Sequence, residues 1–99
     1  MSCCLGGVDL RNINFMMKLV DSFLNDKISR SDFEIDFETE LLARFQKMNR
    51  ENSEYEGLIY NLLSEKGVDV GEQLSDVDFE ALISHQFLGI KDIVENGFV

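Results

Sequence analysis

Apolar residues recur every four positions at Phe33, Phe37, Leu41 and Phe45, and Met48 extends the row by one turn. That repeat lies near the 3.6-residue period of an α-helix and marks one face of it. Asp32, Glu34, Asp36, Glu38 and Glu40 surround the stripe, with no base among them until Arg44. An acidic helix, entered through a turn at Asn25 to Ser29, is therefore the frame that the remaining segments must suit. The chain has no proline, which leaves its helices free to run without interruption.

Three further segments read as helices. The first starts near Leu10 to Asn12 and carries Ile13, Phe15, Met16, Met17, Leu19, Val20, Phe23 and Leu24. Spread at helical spacing, these cover more than half the circumference, so this helix should touch two neighbours. Met16 and Met17 read as adaptable core filler. Asn25-Asp26-Lys27 breaks the helix, and Ile28 can anchor the turn. Ser29 stands three residues before Asp32, and Ser31 three before Glu34, so either serine can cap the second helix, which runs to about Arg50. Ser53 with Glu56 predicts a cap for a third helix bearing Tyr55, Leu58, Ile59, Leu62 and Leu63. Lys66-Gly67 should end it, with the glycine in the left-handed conformation and Val68 closing the motif. Val68 to Leu74 then reads as a loop, where a short extended piece could replace a helical turn. Ser75 with Asp78 caps a fourth helix carrying Phe79, Leu82, Ile83, Phe87, Ile90, Ile93 and Val94. Gln86 falls inside that face, so its amide needs a partner or lies at the bundle's end. Gly89 weakens this helix and could bend or split it, and Gly97 marks its end. The expected fold is all-α: a single antiparallel four-helix bundle over residues 1–99, with Met1 to Asp9 as a loose tail.

Charge narrows the function. The chain has 19 acids against nine Lys and Arg residues, a net charge of −10. Such a chain repels nucleic acid and anionic membranes and attracts basic surfaces quickly and salt-sensitively. Direct nucleic-acid binding is thus disfavoured, whereas binding to a nucleic-acid-binding protein is not. No apolar run approaches membrane-spanning length, and the first residues lack the charged and apolar regions of a secretory signal. The two cysteines, Cys3 and Cys4, are adjacent and form no disulfide framework. A cytoplasmic protein is the expectation.

Catalytic chemistry is poorly supplied. His85 is the single histidine and lies off the apolar face of its helix, and no spacing of His and Cys suits a metal. No nucleophile stands beside a base with an orienting group. A calcium loop can be laid over the first turn with Asp21, Asn25, Ile28 and Asp32 at positions 1, 5, 8 and 12. Phe23 and Asp26 then occupy positions that require an oxygen ligand and a glycine. No cofactor, metal or catalytic residue is expected.

What survives is the placement of acids. Glu51, Glu54, Glu56, Glu65, Asp69, Glu72, Asp76, Asp78 and Glu80 are opposed in that interval by Lys66 alone. Any one of them reads as a solvated or helix-starting acid. Capping needs none of Glu65, Asp69 and Glu72, however, and grouped acids on a helix end and adjoining loop suit a basic cleft.

The stretch LVDSFLNDKISRSDFEIDF resembles the opening of the colicin D-type immunity proteins, a family also found beside contact-dependent growth inhibition toxins. Phe23-Leu24, Lys27-Ile28-Ser29, Asp32-Phe33-Glu34 and Phe37 carry the likeness. The second half departs from it, with a shorter insert between Glu72 and the helix after Asp76. The resemblance implies a small helical bundle, not an enzyme, that blocks the basic active site of a cognate nuclease toxin, commonly one that cleaves tRNA. Together with the acids it nominates Glu65, Asp69, Glu72, Asp76 and Asp78 as toxin-binding, with Asp36 and Glu40 extending the contact. The alternative is an acidic adaptor or regulator that binds a basic nucleic-acid-binding partner. Oligomeric state is not expressed in the sequence.

Overall fold

The computed structural model describes residues 10–96, all of whose regular structure is helical. The tail to Asp9, with Cys3 and Cys4, and the stop expected at Gly97 lie outside the described residues. Helix α1 spans Arg11–Leu24, α2 Arg30–Glu51, α3 Ser53–Leu58 and α4 Asp76–Glu95. Between α3 and α4 the chain continues without a break as a π-helix, Ile59–Asp69.

Two of the expected caps form as read. Ser29 Oγ accepts from the Asp32 amide and Ser75 Oγ from the Asp78 amide, each at 3.2 Å. Ser29, not Ser31, therefore starts α2. The third cap is Asn52, whose Oδ1 accepts from the Tyr55 amide at 3.1 Å. Ser53 is already the first helical residue. At the end of α1, the Lys27 amide reaches Ser22 O and the Asp26 amide reaches Phe23 O, the paired bonds of a Schellman ending. Asp26 holds the left-handed position, φ 61°, that a glycine usually fills.

The core is laid down by α1, α2 and α4 at one end and by α3 with its π-helical continuation along the side. Phe23 stacks on Phe33 at 4.5 Å between ring centres, and Phe79 meets both edge-on at 5.6 and 6.2 Å. Ile13, Met16, Val20, Met48, Ile59, Leu63, Ile83 and Ile90 are fully buried around them. As its broad stripe predicts, α1 packs against both α2 and α4. Phe15, Phe45 and Ile93 leave the expected stripes and are partly exposed, at 39%, 42% and 37%. For Phe45 the cause is angular. A four-residue step overshoots an α-helical turn by about 40°, so the third step from Phe33 carries Phe45 about 120° round. Met48 returns to about 60° and is buried.

The third helix corrects the expectation more deeply. It does not stop at Lys66-Gly67, and Gly67 is not left-handed. Gly67 is buried where a Cβ would stand 3.0 Å from Leu62 O and 3.1 Å from Ile83 Cδ1, so it serves close packing on α4. Gly71 is tighter still, 2.7 Å from Phe79 Cδ1 on the same test. Val68 and Asp69, expected in a loop, are helical, and the connection shrinks to residues 72–75. Tyr55, Ile59, Leu63, Gly67 and Gly71 share the four-residue spacing that expelled Phe45, yet all five are buried. The i→i+5 bonding of a π-helix puts more residues in each turn. The four-residue step then underwinds, cancels the drift and keeps the row inward. Gln86 finds its partner here, donating from Nε2 to Lys66 O at 3.2 Å. Helix α4 runs unbroken through Gly89.

Two arginines fasten the ends. Arg30 donates to Leu74 O at 2.7 Å, Gly71 O at 3.0 Å and Glu72 O at 3.2 Å, and its guanidinium lies 4.2 Å from the Phe79 ring centre. It thereby ties the 72–75 connection onto the start of α2. At the opposite end Arg44 donates to Asn12 Oδ1 at 2.7 Å and covers the Phe15 ring at 3.8 Å. Glu51 completes this corner, its carboxylate accepting from the Asn12 and Ile13 amides and from Asn12 Nδ2.

Candidate partner-binding face

An open groove of about 270 Å³ runs between α2 and the π-helical segment, lined by Glu34, Ile35, Glu38, Val68, Asp69 and Glu72. Four of the six side chains are carboxylates. Glu34 and Glu38 stand one α-helical turn apart on α2. Asp69 closes the π-helix, and Glu72 follows the helical run on backbone that Arg30 pins in place. Arg30 stands at the groove's edge, 3.7 Å from Glu34. Its fork is already taken by three carbonyls and by Asp76 Oδ1 at 2.9 Å.

The seven acids nominated from the sequence do not form one patch. Asp69 and Glu72 come together in the groove. Glu65 is exposed on the π-helix and Asp78 on the first turn of α4. Asp76 is paired with Arg30 while keeping its side chain 88% exposed, beside a second depression that includes Lys27, Ser29 and Glu80. Asp36 is exposed on the flank of α2 away from Glu38, since two residues turn the helix by about 200°. Glu40 accepts from Arg44 Nε at 2.9 Å and belongs to the Asn12 corner. The acids of α2 that do meet Asp69 and Glu72 are Glu34 and Glu38. Their mutual spacing was readable, but which flank of α2 receives α3 is set by how the helices pack, which no local pattern encodes.

The Glu51 carboxyl is held below its ordinary range. Its partial burial pushes the pKa up, but the Asn12 and Ile13 amides, the Asn12 side chain and Arg11 outweigh this and hold it below the ordinary value of 4.5. Its role is internal: α1 begins without a side-chain cap of its own or an acid in its first turn. Burial raises the Tyr55 hydroxyl. Basic side chains lie elsewhere, Lys18 and Lys91 lining a groove of about 530 Å³ with Met17, Tyr55 and Phe87. Among the described residues, no three His, Cys, Asp or Glu side chains are placed to hold a metal. No helix among them is long and apolar enough to cross a membrane.

The arrangement offers negative charge presented on two helical segments. It suits recognition of a cationic surface. Compared with known proteins, the chain matches no family model, no curated protein and no solved structure.

Proposed function

We propose that this chain is an immunity protein, a non-enzymatic inhibitor that binds a cognate nuclease toxin and blocks its basic active site in the cytoplasm of the producing cell. In this reading the helices form an antiparallel four-helix bundle. Glu51 at the end of α2 meets the start of α1, and Gly71 and Gly67 meet Phe79 and Ile83 in reversed order on α4. The observation that carries the proposal is the groove of Glu34, Glu38, Asp69 and Glu72, four carboxylates with one already committed base. A nuclease cleft is lined with cations that bind phosphates, so carboxylates grouped on one face compete for them. The resemblance of residues 23–37 to colicin D-type immunity proteins points the same way.

The test is protection. The toxin domain encoded beside this gene is expressed in cells with and without the chain, and growth and tRNA integrity are followed. Rescue is expected, with a strongly salt-dependent association rate. Reversal of Glu38 and Asp69 to Lys should slow association while leaving the helical signal intact. Failure of the chain to protect, combined with its retention of a different basic nucleic-acid-binding protein, would replace this reading by that of an acidic adaptor.

A further inference from the structure

From Ile35 in the acidic groove, the same seam continues as an exposed apolar stripe. Ile35, Leu42 and Phe45 are 65%, 82% and 42% exposed. With Glu38 and Asn49 they fall in a sector of about 80° on the side of α2 away from Phe33. Their spacing of three and four residues is that of a helix face prepared to meet another helix. Scattered single leucines on a surface mean nothing, but a row of them on one seam does. Across the seam Tyr60, 40% exposed, packs against Phe45 at 6.3 Å between ring centres. One turn further on, Asn49 Nδ2 donates to Glu56 Oε1 at 3.2 Å. Glu56 is 5% exposed, and its Oε2 has no hydrogen-bond partner. A buried carboxylate oxygen without a donor is costly, and the other oxygen of this carboxylate ties the end of the seam to α2 through Asn49.

We infer that the seam between α2 and the α3–π segment is a docking site for a cationic amphipathic helix of the partner protein. The apolar side of that helix covers Leu42, Phe45 and Tyr60. Its Lys or Arg residues meet Glu34, Glu38, Asp69 and Glu72 at one end. The inference rests on a basic partner, as proposed above, and names where that partner is held and by what element. A second copy of this chain is the wrong occupant, because it would bring the same acids and the same net charge of −10 against them. The acids set the encounter rate, and the apolar stripe holds the complex together.

Leu42→Arg alters a side chain that is mostly in water, so its helical signal and midpoint should match the parent. Two probes are used with the full chain. Against the neighbouring toxin domain, Leu42→Arg should weaken binding about thirtyfold, the scale of a hot-spot loss. Against a synthetic amphipathic helix of lysine and leucine, the parent should bind about tenfold more tightly than it binds an equally charged lysine–serine peptide. Leu42→Arg should abolish that preference. Equal binding of the two peptides, or an unchanged preference in Leu42→Arg, overturns the docking site. So does unchanged affinity of Leu42→Arg for a toxin domain that the parent binds, and that outcome leaves the inhibitor reading standing. If the parent neither binds nor neutralises the toxin domain, the inhibitor reading falls and the peptide comparison alone decides the seam. Self-association that Leu42→Arg removes would also overturn it.

Discussion

Replacing Glu51 by Ala should loosen the start of a helix 39 residues away in sequence. Helix α1 begins after Leu10, which supplies no side-chain cap, and its first turn holds no acid. The Glu51 carboxylate fills both roles from the end of α2, accepting from Ile13 N at 2.9 Å, from Asn12 N at 2.9 and 3.1 Å, and from Asn12 Nδ2 at 2.6 Å. Loss of a cap costs about 0.5–2 kcal/mol, and a hydrogen bond to a charged group about 1.5–3 kcal/mol. The corner is only partly buried, so the contributions overlap and water can replace some of them. A net loss of about 2 kcal/mol is expected, equivalent to about 8–16 °C in Tm for a domain of this size. Glu51→Gln keeps one acceptor and removes the charge, and should lose about half as much. The pH dependence supplies the sharper check. The folded pKa of Glu51 lies below its unfolded value near 4.5, so the unfolded chain takes up the proton first as acid is added. The stabilisation is complete above that value and disappears as pH falls through the folded pKa. Urea melts of the parent and Glu51→Gln, run from neutral pH down to about pH 3, should therefore converge in the acid range, while the other carboxylates affect both proteins alike. A gap that stays constant through that range would refute the assignment, as would an Ala variant as stable as the parent.

Arg30→Lys should cost about 1–2 kcal/mol in urea melts, because a single ammonium cannot reach three carbonyls while lying flat on Phe79. Amide exchange should rise first in residues 71–76. Gly71→Ala should lose about 1–3 kcal/mol by thermal melting, since its new methyl meets the Phe79 ring in a filled core. Gly89→Ala should gain up to about 1 kcal/mol in the same assay, having open space around the added carbon in an α-helix interior.

What the sequence disclosed and what it hid divide along range of interaction. Ser29, Ser75 and the inward rows of Phe33, Phe37, Phe79 and Ile83 act within a turn or two, and their spacing alone located α2 and α4. Asn52 displaced Ser53 as a cap by one position, within the slack of any helix boundary. Gly67 misled because a glycine after a lysine looks like a helix ending. Its absence of a side chain instead admits Ile83 from α4, a contact 16 residues distant. The distant partners of Arg30, Arg44 and Glu51 were silent for the same reason, each lying more than 30 residues away, whereas the Glu40–Arg44 pair is local to one helix turn. The candidate site was half legible. Asp69 and Glu72 stood out by lacking any capping role, whereas Glu34 and Glu38 could be chosen over Asp36 and Glu40 only once α3 lay on one flank of α2.

The wide winding of Ile59–Asp69 carries a consequence for how this chain tolerates change in length. An ordinary helix reads a deletion as a rotation: losing one residue from α2 would swing everything beyond it by about 100° and turn its inward row toward water. A π-helix holds surplus residues relative to α winding, and it can surrender one by tightening. Removal of an exposed residue such as Asn61 should leave Gly71, Phe79 and the groove acids in their present phase, while removal of Thr39 from α2 should unfold the domain. The segment is a slack coil in the spring, placed between the core that it closes and the acids that it aims.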